Sequence, residues 1–299
     1  MRPPFLRSGD TVGIVAPARK LSIEELRSAI ALYESWGLTV ELGKNLFLTH
    51  HQFSGTDDER ASDFQDMLDS PTVKAIFCAR GGYGTVKIID KLCFNNFIKS
   101  PKWIVGYSDA TVLHSHVQQK CGIETIHAAM PISFSASDYT PSTVDSLRRA
   151  LFGDELTYPI EPHLLNRHGE ASGILTGGNL SVLYSILSSP SDVDYTNKIL
   201  FIEDLDEYLY HIDRMMMCLS RAGKLENLAG LIVGKMNKMN DNTVPYGYTA
   251  YEIIKEKVLP YNFPVSFNFP AGHTAENMAI YLGHTVALSV GDRINLQYL

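Results

Sequence analysis

Through its first half the chain alternates short apolar runs with amphipathic stretches. "TVGIVAPA" (residues 11–18) is a strand-length apolar run that follows the turn signal Ser8-Gly9-Asp10. In "SIEELRSAIALYESWG" (22–37) the apolar residues Ile23, Leu26, Ile30, Tyr33 and Trp36 recur at helical spacing. Ser22 and Glu25 stand in capping-box register, and Gly37 is a natural stop. "LTVEL" (38–42) reads as the next strand, and Thr56 with Glu59 opens a second capped helix, "DDERASDFQDMLD". There follow a strand "VKAIFCA", a helix near "TVKIIDKL", a strand "KWIVGY", a helix "ATVLHSHVQQK" and a strand "IETIHAA". Strand and helix in alternation, with β-branched strands, predict a parallel sheet covered on both faces. Such sheets bind ligands beyond the carboxyl ends of their strands.

The pattern breaks after Phe152. "GDELTYPIEPHLLNRHGEAS" carries two prolines, two glycines and no sustained period, and reads as a linker. Strand-like and helical stretches then resume in "GILTGGNLSVLYSIL", "KILFIEDLDEYLYHIDRMMMCLSRAG", "LAGLIVGKM" and "YTAYEIIKEKVL". The chain ends in "TVALSVGDRINLQYL", two antiparallel strands joined at Gly291-Asp292. The expected fold class is α/β. A Rossmann-like parallel-sheet domain (1–153) and a linker (154–171) precede a smaller α/β domain with mixed β-structure (172–299).

Composition narrows the function classes. A net charge of −7 over 299 residues argues against a broad nucleic-acid surface, which needs a basic stripe. Four scattered cysteines without a CxxC pair fit a reducing compartment. No run approaches the roughly 18–20 apolar residues that span a bilayer, and the N-terminus lacks a signal-peptide core. The expectation is a cytoplasmic protein with no membrane or nucleic-acid partner.

Candidate chemistry lies at strand ends. Gly106-Tyr107-Ser108-Asp109-Ala110 approximates the G-x-S-x-G nucleophile elbow, in which a tight strand-to-helix turn exposes the serine hydroxyl. Helix capping is the plain alternative for Ser108. Arg80-Gly81-Gly82-Tyr83-Gly84 ends the preceding strand, and its glycines let backbone N–H groups approach an oxyanion or a phosphate. It lacks a complete G-x-G-x-x-G or P-loop, so nucleotide binding is the weaker reading, and a plain tight turn remains open. Among ten histidines, His114 and His116 lie two apart on a helix, His50-His51 have no ligand companions, and His211 sits on an amphipathic helix. No HExxH or Cys/His cluster points to a metal. His273, in "FPAGHTAEN", sits in a glycine-containing loop after a strand-like run, as a base reaching into a cleft would; a plain surface-loop histidine is the alternative. Glu203 and Asp204 close the apolar run "KILFIED", where a buried carboxylate needs a partner or caps the next helix.

In order, "SGDTVGIVAPA", "ARGGYG", "VGYSDATVLH", "TGGNLSVL", "FIEDLDE" and "FPAGHTAEN" resemble the LD-carboxypeptidase family of serine peptidases, essentially from end to end. These are cytoplasmic muramoyl-tetrapeptide carboxypeptidases, with the microcin C self-immunity peptidases as a sister branch. The resemblance implies a Ser–Glu–His triad of Ser108, Glu203 and His273 on a two-domain α/β fold, with no metal or organic cofactor. It places an oxyanion hole at Gly82 and Asp109, and substrate contacts at Asn179, Gly81 and Tyr83. It further implies a homodimer that releases D-alanine from murein tetrapeptide, or its UDP-linked form, at the bond between an L-centre and the D-residue. Hydrolysis of a peptidyl or aminoacyl nucleotide toxin is the rival within the family, and the compact chain leaves little room for its recognition loop. A non-catalytic anion binder built on the GGYG loop is the rival outside it.

Overall fold

The computed structural model describes residues 1–135 and 139–299. The first half holds strands β1 (Thr11–Val15), β2 (Thr39–Leu42), β3 (Val73–Cys78), β4 (Trp103–Gly106) and β5 (Thr125–His127). Helices α1 (Ile23–Ser35), α2 (Asp57–Asp69), α3 (Asn95–Lys99), α4 (Thr111–Cys121) and α5 (Pro141–Phe152) accompany them. Both capping boxes form as the spacing predicts, at Ser22/Glu25 and Thr56/Glu59. The expected helix over 85–92 is instead two single 3₁₀ turns, Thr85–Lys87 and Ile89–Lys91. Between Gly84, at φ +147°, and the extended Leu92 there is too little chain to repay helix nucleation.

The second half holds β6 (Gly169–Asn179), α6 (Leu180–Ser185), β7 (Lys198–Leu205), α7 (Leu209–Arg221), β8 (Gly230–Asn237), α8 (Ala250–Val258) and β9 (Val265–Ser266). β10 (Ile280–Leu282), β11 (Thr285–Val290) and β12 (Ile294–Tyr298) complete it. The last two form the expected antiparallel hairpin. β6 starts at Gly169, inside the segment read as linker, because its outer end pairs with β11.

Two six-stranded sheets result, β10-β5-β4-β3-β1-β2 and β12-β11-β6-β7-β8-β9. β2, β1, β3, β4 and β5 run parallel, as do β6 to β9. β10 belongs to the second half in sequence yet adds antiparallel to β5 in the first sheet, where its three residues are buried. The chain therefore crosses back between the halves just after His273. The sheets also meet through α4, where Thr176 Oγ1 donates to Gln118 Oε1 at 2.7 Å and the Asn179 N–H donates to Thr111 Oγ1 at 3.0 Å.

The "TGGN" end of β6 is glycine for a reason. Gly177 adopts φ +123°, and a Cβ there would sit 1.9 Å from the Phe201 carbonyl oxygen of β7. Gly177→Ala should therefore destabilise the fold by more than about 2 kcal/mol. The control Gly122→Ala, at φ +62° with open space around it, should cost about 1 kcal/mol. Denaturant unfolding of the two variants checks the difference.

Candidate active site

β4 ends at Gly106, Tyr107 stays extended, and Ser108 turns the chain at φ +61° into a 3₁₀ turn that runs straight into α4. A non-glycine residue in the left-handed region costs about 1–2 kcal/mol. Ser108 caps no helix, since neither helical start has a side-chain cap bond. The turn instead presents a half-buried serine. Its tightness explains the small neighbours: a Cβ on Gly106 would lie 2.9 Å from Ala110 Cβ and 3.1 Å from Cys78 Cβ. His114 braces the elbow, with Nε2 2.9 Å from the Gly106 carbonyl oxygen and Nδ1 2.8 Å from Thr125 Oγ1. Burial lowers its pKa to about 4, so the neutral ring donates to the carbonyl and accepts from the hydroxyl.

The glycine loop at the end of β3 abuts the serine. A Cβ on Gly81 would meet Ser108 Cβ and Oγ at 3.0 Å each. Gly82 adopts φ +109°, and its open side is covered by the Arg19 side chain, which a Cβ would overlap at 2.1 Å. Tyr83 is 51% exposed, its ring 6.3 Å from that of Phe53. Two buried charges fix this loop: Arg60, which did not stand out in the sequence, and the Asp109 carboxylate, whose residue was expected to act through its backbone N–H. Arg60 bonds the carbonyls of Pro17 and Gly84 and the Asp57 carboxylate. The Asp109 carboxylate accepts the Thr85 N–H at 2.8 Å. Burial raises the Asp109 pKa against the hydrogen bonds from Thr85 and the charge of Arg60. Asp109 therefore ties the elbow to the loop through its side chain, while N–H groups in a first helical turn lack intrahelical acceptors.

Across the cleft, Glu203 is completely buried at the end of β7, with Oε2 2.7 Å from His273 Nδ1. Its other oxygen has no partner among the described residues. Gly272, at φ +130°, lets the histidine loop close on this carboxylate, for a Cβ there would lie 3.0 Å from Oε2. Asn237 Nδ2 donates to the His273 carbonyl oxygen at 2.7 Å, and the Gly272 N–H donates to Asn277 Oδ1 at 2.9 Å. Burial disfavours a charged His273 ring. The Glu203 charge and hydrogen bond, with Asp204 behind them, outweigh burial and raise its pKa above 6.5. The Tyr107 ring lies 4.7 Å from the imidazole, so the residue beside Ser108 packs on His273. Ser108 Oγ and His273 share no hydrogen bond in this structure; such bonds often tighten only with substrate bound.

Asn179 lies beside Glu203 in the strand register, and its amide is hydrogen-bonded within the fold. Nδ2 donates to Asp204 at 2.9 Å, and Oδ1 accepts from Ser181 Oγ and the Val182 N–H as the α6 cap. Asp204, pushed up to about 7 by burial and by Glu203, also accepts the Ser181 and Leu205 N–H groups. A register shift between Ile202 and Asp204 accompanies this pair of consecutive buried acids. His127, fully buried beneath Tyr107, has its pKa pushed well below the usual imidazole value, chiefly by burial. Among the described residues no three His, Cys, Asp or Glu side chains converge as a metal site, and no helix is long and apolar enough to cross a membrane.

Two parallel-sheet halves thus face one another over an elbow serine and a carboxylate-backed histidine, an arrangement suited to hydrolysis. Residues 12–128 match the LD-carboxypeptidase N-terminal domain and 172–288 the C-terminal domain. The chain is 36% identical to a probable murein peptide carboxypeptidase of Bacillus subtilis, over 98% of this chain and 92% of that one. Muramoyltetrapeptide carboxypeptidase from Oxalobacter formigenes superposes with a TM-score of 0.87 at 26% identity, covering 96% of this chain and 98% of that one. The microcin C7 self-immunity protein shares the fold, with a TM-score of 0.90 at 23% identity over 99% and 98% of the two chains. The chain belongs to the LD-carboxypeptidase family, a family of peptidases.

The raised His273 pKa is directly measurable. In an NMR titration its ring should titrate above 6.5. Glu203→Gln should move it below that value, because burial then acts with no carboxylate against it.

Proposed function

We propose that the protein is an LD-carboxypeptidase that removes the terminal D-alanine from murein tetrapeptide or its UDP-linked form. In this reading Ser108 is the nucleophile, His273 the base and Glu203 its orienting partner. The observation that carries it is the buried 2.7 Å Glu203–His273 pair, whose imidazole lies 4.7 Å from the ring of Tyr107, the neighbour of a serine held at φ +61° on an elbow. His273 takes the Ser108 proton as Oγ attacks the penultimate carbonyl. The Gly82 and Asp109 N–H groups receive the oxyanion. His273 then returns the proton to the leaving amine, and water clears the acyl-enzyme. Glu203 at Nδ1 leaves Nε2 as the basic nitrogen and stabilises the imidazolium as it forms. The names of the Bacillus and Oxalobacter relatives support the substrate, and the family resemblance supports cytoplasmic action by a homodimer in peptidoglycan recycling.

Only the neutral ring accepts a proton, so the upward shift of His273 places the acidic limb of kcat/KM above pH 6.5. Mass spectrometry of a muramoyl-tetrapeptide incubated with the protein should show loss of one D-alanine. Ser108→Ala should reduce turnover by about 10⁴-fold or more, and Glu203→Gln by about 10⁴-fold. No cleavage by wild type, with a serine-directed fluorophosphonate still labelling Ser108, would move the substrate to the peptidyl nucleotides. No cleavage and no labelling would favour a binding protein.

A further inference from the structure

Beside His273 opens a cavity of about 360 Å³. Asn237, Lys238, Thr274 and Asn277 line it together with Tyr139 and Thr143. Three features give it the character of an anion site. Lys238 is the one Lys or Arg among the described residues that line it, and no described Asp or Glu lines it. Lys238 is exposed and its ammonium makes no ion pair or hydrogen bond among the described residues, whereas that of the half-buried Lys235 is engaged 2.7 Å from Asn268 Oδ1. Asn277, 3% exposed, keeps a buried donor without a partner among the described residues: Oδ1 accepts the Gly272 N–H, which fixes the amide so that Nδ2 is left over.

The position of Lys238 is itself specified. It follows Asn237, which holds the His273 carbonyl at 2.7 Å, and it turns off the end of β8 at φ +50°. A lysine in that region is strained, as residues at functional sites often are. The strain directs the chain beside the histidine loop instead of continuing the strand.

The chemistry of an exopeptidase supplies the anion. In a peptide cut at its last bond, the terminal carboxylate lies two bonds from the scissile nitrogen. That nitrogen must sit against the imidazole that protonates it. A cation lining the cavity that His273 itself lines can therefore meet that carboxylate within the reach of one lysine side chain. An ammonium opposite a carboxylate also separates a chain end from an internal peptide bond, which has no charge to offer.

We propose that this cavity is the leaving-residue pocket and that Lys238 is its carboxylate-recognising, specificity-determining residue, with Asn277 as the supporting donor. The inference rests on the peptidase reading above and adds to it the group that makes cleavage strictly C-terminal. Charge-assisted contacts of this kind change kcat/KM by about 10- to 100-fold.

The test compares two substrates, muramoyl-tetrapeptide with a free terminal D-alanine carboxylate and the same peptide as its terminal carboxamide, in wild type, Lys238→Met and Lys238→Arg. Lys238→Met should lose about 10- to 100-fold in kcat/KM on the carboxylate. It should stay within about twofold of wild type on the carboxamide. Lys238→Arg should restore most of the preference. An equal loss on both substrates, or no loss on either, would overturn the assignment while leaving the peptidase reading intact. A wild type that releases neither D-alanine nor its amide overturns the peptidase reading and this one with it.

Discussion

The structure turns on a carboxylate with no exposed surface. Glu203 is buried at the end of β7, and burying an unpaired charge is expensive. His273 meets it at 2.7 Å, and the loop that brings the histidine is built around that contact. Gly272 allows the approach, Asn277 takes the Gly272 N–H, and Asn237 holds the next carbonyl. Removing one partner of such a pair strands the other, at about 3–5 kcal/mol. The pair thus commits the loop to one arrangement, and the basic nitrogen of the imidazole to one direction.

The same loop joins the two halves. Immediately after it the chain enters the first sheet as β10, and its backbone is pinned to α5 on the way. Thr143 Oγ1 donates to the Ala275 carbonyl at 2.9 Å and accepts the Asn277 N–H at 3.0 Å. The histidine is carried by one sheet's partner strand and clamped by the other half's helix. Tyr107 then packs on its ring from the residue next to Ser108. The geometry between Ser108 and His273 is consequently a property of how the halves dock, and the contacts through α4 and β6 stabilise that docking.

Electrostatics divides the buried groups by role. His114 and His127 are kept neutral by burial and serve as packing and as a brace for the elbow. His273 alone among these three is raised, because its carboxylate partner outweighs the same burial. Asp204, one residue from Glu203, meets α6 and Asn179 instead, which keeps the second acid off the imidazole nitrogen.

The sequence by itself determined the local pieces. Ser22 and Glu25, or Thr56 and Glu59, are three residues apart and find each other within a single helical turn. The G-x-S-x-A spacing marked a corner, since only small residues at 106 and 110 let the chain fold that tightly. Residues that act across the chain were legible only as types: "FIED" called for a partner, and "AGHT" offered one 70 residues on. Tertiary structure decided the rest. It gave Ser108 its left-handed turn in place of a cap, and assigned Asn179 to the α6 terminus. It set Arg60 and Asp109 beneath the glycine loop, sent β10 back to the first sheet, and left Lys238 unpaired beside His273. Each of these depends on contacts between residues far apart in sequence, whose cost or gain exists only once the two sheets have met.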